Sequence, residues 1–114
     1  MESILTSVKQ QLGITEEYDH FDPQIIRDTN AVLMILSQMG VGQKGFAIKD
    51  KNSTWTDFIP EADLETIEGI KTYVGLKVRL LFDPPASSTV TETINRLITE
   101  FEWRLYTAVE TESI

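Results

Sequence analysis

Several kinds of site are excluded by what this chain of 114 residues lacks. It contains no cysteine and a single histidine, which excludes a disulfide framework, a thiolate metal site and a cysteine nucleophile. Basic residues are also scarce, since ten Lys and Arg stand against eighteen Asp and Glu and leave a net charge of −8. Such a charge favours solubility and opposes non-specific binding to DNA or to anionic membranes.

Long apolar runs are missing as well. No run approaches the roughly 20 residues that span a bilayer, so we expect no membrane association. The opening residues MESILTSVKQQLG have a broken apolar pattern that is not typical of a signal peptide. With 41% hydrophobic residues the chain can bury a core, and its length fits one domain over 1–114.

Apolar residues recur at helical spacing through most of the chain and predict an all-α fold, a small bundle of about four helices. The first is expected to end at Gly13. Asp22 is a candidate N-cap for the second, with Pro23 at its first position. The predicted helices cover 3–12, 23–39 and 61–82, and a fourth starts at Ser88 or Thr89.

The stretch 40–59 differs from the rest, because it holds three glycines and few helix formers. The sequence is compatible with two alternatives here, a short β-hairpin near 44–57 or an irregular loop held in place by Trp55. The stretch 41–60 also carries a small net positive charge, since it has three Lys and two Asp. Its basic residues are candidates for contact with DNA or with an acidic partner, or they are simply solvated: Lys44, Lys49 and Lys51.

The third helix carries two apolar stripes on nearly opposite sides, which predicts a central position. One contains Leu64, Ile67, Ile70, Val74, Val78 and Leu81; the other contains Gly69, Tyr73, Leu76 and Leu80. Gly69 suggests close approach of another helix. If Leu81 is buried, Leu81→Ala should cost roughly 2–5 kcal/mol; a loss below about 1 kcal/mol would mean that this turn faces outward.

The fourth helix is expected to begin with a capping box of Thr89 and Glu92, or with Ser88 as cap. Trp103 and Tyr106 lie off its apolar face, which indicates either a contact with another protein or partial burial against the 40–59 stretch. The acidic segment 107–114 is expected to fray or to order against a partner. The expected core face contains Val90, Ile94, Leu97, Ile98, Phe101, Leu105 and Ala108.

Catalytic patterns are weak. His20 lies among acids in a connector without ligand spacing, and the stretch GVGQKG lacks the Lys-Ser/Thr ending of a phosphate loop. No carboxylate pair lies in an evident apolar pocket, and no helix has a basic face that would read DNA. We therefore expect no catalytic residue, no cofactor and no metal.

The third helix stops abruptly at Asp83-Pro84-Pro85. A proline disfavours the α region for the residue before it, so the helix must end near Phe82. Pro85 stiffens the exit. The segment is interpreted as a rigid helix-hairpin turn, and nothing near Asp83 supports an active-site acid.

Five segments together resemble the phage head–tail connector (adaptor) family of tailed phages and prophages. They are ILTSVKQQLGI, FDPQII, WTDFIPE, TYVGLKVRLLFDPP and FEWRL, in chain order. The resemblance implies a mainly helical, non-catalytic virion protein at the neck. It also implies a ring beneath the portal, built in the host cytoplasm, that extends the DNA channel and presents a surface to the next head-completion or tail protein.

Extra apolar faces suit the packing of subunits in such a ring, and DNA would pass without sequence-specific binding. The alternative is a small phage-encoded regulatory protein that binds a host or phage protein; the position of the gene next to portal and capsid genes would discriminate. Contacts to neighbours or portal are expected from Phe46, Ile48, Trp55, Tyr73, Trp103 and Tyr106.

Overall fold

The computed structural model describes residues 2–112, with side chains over 2–107. Five α-helices confirm the all-α prediction, and none over this range is long and apolar enough to cross a membrane. The described residues form no sheet, only one isolated antiparallel bridge between Ser3 and Thr54. The helices are α1 (Ile4–Gln11), α2 (Asp22–Gln38), α3 (Trp55–Phe58), α4 (Leu64–Phe82) and α5 (Ser88–Glu112).

The starts of the helices depend on which side chain supplies the cap. α4 begins after Asp63, whose carboxylate accepts the Thr66 N–H at 2.8 Å, so it starts three residues later than expected. α5 is capped by the Ser87 hydroxyl, which accepts the Val90 N–H at 3.4 Å. The expected caps at Ser88 and Thr89 were therefore wrong, because the helix already includes both residues.

The start of α2 also differs from the prediction. Asp22 is the first helical residue, and the N-cap position is held by Phe21 without a side-chain hydrogen bond. Asp22 instead faces Lys9 of α1, whose Nζ lies 2.9 Å from its Oδ1 and donates to the Glu16 carbonyl at 2.9 Å. Lys9 is 2% exposed. The Asp22 contact is a close ion pair without aligned hydrogen-bond geometry.

The stop at the end of α4 is confirmed. The helix ends at Phe82, and Asp83 adopts φ −145° and ψ 69°, outside the α region, as the following proline requires. Five residues, 83–87, then reverse the chain into α5.

α2 and α4 run antiparallel. At one end the rings of Phe21 and Phe82 meet edge to face at 5.4 Å. At the other, the turn after α2 lies beside the start of α4, where residues 40–43 border the same groove as Asp63 and Thr66. Among the described helices these two make the most extensive contact.

The other two long elements also pack on α4. α1 crosses its middle, where the Gln11 side-chain amide donates to the Lys71 carbonyl at 3.0 Å. α5 runs back along it, with Phe101 near Gly69 and Leu105 near Ile70. The predicted central position of this helix is thereby confirmed.

The stretch 40–59 is irregular apart from the single turn of α3, so the hairpin alternative was wrong and the loop pinned by Trp55 was right. The backbone of Ile48 pairs with a side chain instead of a strand. Its N–H donates to Asn30 Oδ1 at 2.8 Å, and its carbonyl accepts from Asn30 Nδ2 at 3.0 Å. Gly42 and Gly45 have φ of 81° and 77°, which a regular strand does not accommodate.

The apolar stripe of α4 is buried only in its middle. Ile70, Val74 and Val78 are inaccessible, whereas Leu64 and Leu81 in the terminal turns are exposed. Of the two alternatives for Leu81 the structure supports the outward-facing one, because this residue lies at the end of the helix, where neighbouring elements leave its side uncovered. Val90 and Leu97 of α5 are likewise more exposed than expected.

The close approach predicted at Gly69 occurs elsewhere on α4. A Cβ added at Gly69 would lie 3.8 Å from Phe101, an ordinary contact. At Gly75 an added Cβ would overlap the Gln11 amide group, so the position where glycine admits a neighbour is the crossing with α1.

Leu81→Ala should lower the free energy of unfolding by less than about 1 kcal/mol, because its side chain is 56% exposed. The matched control is Leu33→Ala in α2, which removes the same atoms from a fully buried site and should cost about 2–5 kcal/mol. Urea denaturation of both variants measures the difference. Equal losses would contradict the burial pattern.

Asn30→Ala should cost about 2 kcal/mol, because the Ile48 N–H and carbonyl lose both partners in a buried setting. Asn52→Ala is the control, since that residue is exposed and should change stability by no more than about 0.5 kcal/mol. A thermal or urea titration that separates the two variants by less than 0.5 kcal/mol would contradict the role of Asn30.

Candidate interaction surfaces

Three surfaces of the molecule combine exposed apolar groups with charge. The first is the outer face of α5, defined by Arg96, Thr99, Trp103 and Tyr106. α5 turns its apolar face to α4, and a helical step of 100° places Trp103 and Tyr106 on the opposite side. Trp103 is 69% exposed and Tyr106 56%, so the alternative that they are buried against the 40–59 stretch was wrong.

A shallow depression runs along this outer face. An ion pair between Arg104 and Glu100 at 2.7 Å lies beside it, but exposed pairs of this kind contribute little to stability. The face is therefore available for contact at little cost to the fold. Its lining residues are Glu92, Asn95, Arg96, Thr99, Glu100 and Trp103.

The second surface lies in the segment that connects α1 to α2, and we call it the connector cluster. It is formed by the rings of Tyr18, His20 and Phe21, which gather on Phe82. The His20 ring meets Phe21 edge-on at 4.8 Å, and Tyr18 lies 5.9 Å from Phe21. Tyr18 and Phe21 remain partly exposed. Among the described residues no group of three acidic, histidine or cysteine side chains is arranged to hold a metal ion.

Acidic residues adjoin the connector cluster in the sequence. Glu16, Glu17 and Asp19 are all exposed. The sequence indicated the acids but not that the aromatic rings would gather on Phe82, because that contact joins residues about 60 positions apart. The aromatic residues spaced through YDHF were the available signal.

The third surface, the basic loop, covers residues 44–51. Lys44, Lys49 and Lys51 are exposed, and none takes part in an ion pair with another described residue. Phe46 is half-buried, with its ring 5.2 Å from Phe58. The loop therefore presents three exposed lysines and one partly covered aromatic ring.

Three residues that were expected to contact other proteins lie inside the chain. Ile48 and Trp55 are buried under the loop, with Trp55 1% exposed. Tyr73 is also inaccessible. Their surfaces are consumed by packing within the subunit, so the expectation for these three side chains does not agree with the structure; Phe46, Trp103 and Tyr106 keep free surface.

Tyr73 instead fastens α5 to α4. Its hydroxyl donates to Glu102 Oε2 at 2.8 Å, and the same carboxylate lies 3.6 Å from Lys77 Nζ. Burial, and then the bond to Glu102, raise the pKa of the Tyr73 hydroxyl well above its usual value. The group therefore stays a neutral donor at physiological pH.

Asp83 also has a structural role, at the end of α4. Its backbone N–H closes α4 by donating to the Arg79 carbonyl at 2.9 Å, and its side chain is exposed. Together with Pro84 and Pro85 it forms the turn between α4 and α5. The turn lies next to the connector cluster, because Phe82 immediately precedes it.

A groove of about 610 Å³ was not predicted. It lies between residues 40–43, the link from α3 to α4, and Leu105 of α5, and its lining is mixed, with apolar residues and the acidic Glu61 and Asp63. The glycines at 40–45 were the signal, since Gly42 has no Cβ and lets the backbone pass close to the ring of Phe58. An alanine at Gly42 would overlap that ring.

Comparison with known proteins gives one match. A family model described as "Phage connector protein" matches residues 4–112, which include all five helices. No curated protein and no solved structure matches the chain significantly. Because the family match covers almost the whole chain, the chain belongs to the phage connector protein family, structural proteins of the phage head–tail junction.

Proposed function

We propose that this protein forms a ring beneath the portal, joins the DNA-filled head to the tail and continues the DNA channel. The observation that carries the proposal is the family match over residues 4–112. Its place is the neck of the virion, and assembly occurs in the bacterial host cytoplasm. The portal lies on one side of the ring, and a head-completion or tail protein on the other.

The exposed aromatic residues support contacts within this assembly. Trp103 and Tyr106 lie on the side of α5 away from the core, where the fold gives them no packing partner among the described residues. Large aromatic side chains are enriched in protein interfaces and dominate their energy. We assign the outer face of α5 to contact with the portal or a neighbouring subunit.

The net charge of −8 suits a conduit for DNA. A wall of the same sign as the phosphate backbone opposes retention, so DNA passes without sequence-specific binding. The proposal includes that the channel wall is mainly acidic.

The end of the chain is the second part of the proposed contact with a partner. The backbone of α5 stays helical through Glu112, while residues 113 and 114 and the side chains from 108 onward lie outside the described residues. We propose that the segment 107–114 becomes ordered when it docks on the partner.

Electron microscopy tests the proposed function. The purified protein, alone and mixed with portal-bearing heads that lack tails, should give ring-shaped particles or an added ring of density below the portal. A protein that forms no ring and does not bind such heads would overturn the proposal. Empty heads without portal are the control for non-specific adsorption.

Trp103→Ala should weaken binding to portal-bearing heads by about tenfold or more, as the loss of an aromatic anchor does in other interfaces. Its thermal unfolding should stay unchanged, because the indole is mainly in solvent. Leu64→Ala, another exposed apolar truncation away from the outer face of α5, is the control. Co-sedimentation measures both, and equal binding by the two variants would contradict the assignment.

A further inference from the structure

We propose that adjacent subunits meet through the basic loop of one copy and the acid-rimmed connector cluster of the next. This rests on the proposed ring and names the two surfaces that close it. The occupant of the connector cluster is thus a second copy of this chain, through residues 44–51.

The position of the two surfaces supports a head-to-tail contact. A cyclic ring needs two different patches on each subunit, one meeting the other on the neighbour. The connector cluster is held at the end of α4 by the Phe21–Phe82 contact. The first half of the basic loop is held near its start, where Gln43 donates to the Phe58 carbonyl at 3.1 Å and Phe46 packs on Phe58.

These two ends are well separated. α4 has 19 residues, a length of about 28 Å at 1.5 Å per residue. The first half of the loop is therefore remote from the cluster of its own chain. The second half, with Lys49 and Lys51, lies beside the middle of α2, where Asn30 holds Ile48. That point is about 13 Å along α2 from Phe21. No ion pair among the described residues joins the loop to the cluster of the same chain, so both surfaces are left for a neighbour.

The chemistry of the two surfaces is complementary. The basic loop offers Lys44, Lys49 and Lys51, none of them paired with a described carboxylate, around a half-covered Phe46. The connector cluster offers partly exposed Tyr18 and Phe21 rings. The acids beside it are also exposed, and none makes an ion pair with a described residue. They are Glu16, Glu17 and Asp19.

A neighbouring subunit is favoured over DNA as the ligand of the lysines. A stretch with a net charge of +1 in a chain of −8 attracts a polyanion weakly. The connector cluster supplies three carboxylates together with aromatic surface for Phe46. Opposite charges across an interface fix its register and speed association.

Charge exchange tests the pairing. The first variant carries Lys49→Glu and Lys51→Glu, and the second carries Glu17→Lys and Asp19→Lys. Each alone should lower ring formation by about tenfold or more, since like charges then face each other. A mixture of the two variants in equal amounts should restore association, because alternating variants join opposite signs at each contact, and such a ring closes when the number of subunits is even. The combination of all four substitutions in one chain should restore rings with any number of subunits.

Ring formation is measured by sedimentation velocity and electron microscopy, with portal-bearing heads present. Arg27→Glu is the control, since it reverses an exposed charge outside both surfaces and should leave rings intact. Circular dichroism verifies that each variant folds. Wild-type rings should also weaken as salt is raised, because exposed charges are screened.

Cross-linking gives a second measurement on folded protein. Because the chain has no cysteine, Lys49→Cys and Asp19→Cys introduce single thiols. The mixed variants should yield covalent dimers with a short bismaleimide, and neither alone should. The pairing would be overturned if both charge-reversal variants formed rings as well as the wild type, or if the mixed cysteine variants gave no covalent dimer. Either result would leave the proposed function intact.

Two other results are equally decisive. Rings lost in the lysine variant, not restored by the mixture and accompanied by lost binding to a DNA column, would assign the lysines to DNA and overturn the pairing. Failure of the wild-type protein to form any ring with portal-bearing heads would instead overturn the proposed function itself.

Discussion

The fold depends on the burial of α4 from several sides. α1, α2 and α5 each pack on it, and the side chains of Tyr73 and Val74 in its middle turns have no contact with solvent. A helix covered in this way cannot shift without disturbing every other long element. The terminal turns are free of this constraint, which is why Leu64 and Leu81 reach solvent while residues of the same stripe do not. The surfaces proposed for contact all lie outside this central region.

Helix positions followed well from the sequence because they depend on local rules. The proline pair ended α4 at the predicted residue, and glycines or acids bounded the other helices within a few positions. The predictions of the caps were less accurate. Asp22 pairs with Lys9 instead of capping α2, and α5 is capped by Ser87 instead of Ser88 or Thr89. Such choices are made by tertiary contacts and by competition among adjacent polar residues.

Burial was harder to predict than helicity. Tyr73 and Trp55 were expected at an interface, because a pattern of exposed and buried sides cannot say whether a covering surface belongs to the same chain. Trp103 and Tyr106 were correctly separated from the core face of α5, since the described residues leave both side chains mostly exposed. The connector cluster and the groove near Gly42 depend on contacts between distant residues and had only weak local signals.

The two hydrogen bonds between the Asn30 side chain and the Ile48 backbone have a consequence for how subunits associate. They satisfy the loop backbone from a helix side chain, so this stretch never becomes a strand. Over residues 2–112 there is consequently no sheet edge onto which another chain could add a strand. In the ring that we propose, neighbouring subunits therefore meet through side chains and not through a shared sheet. The fit between copies is then set by the shape and charge of surfaces that the helices and turns hold in place.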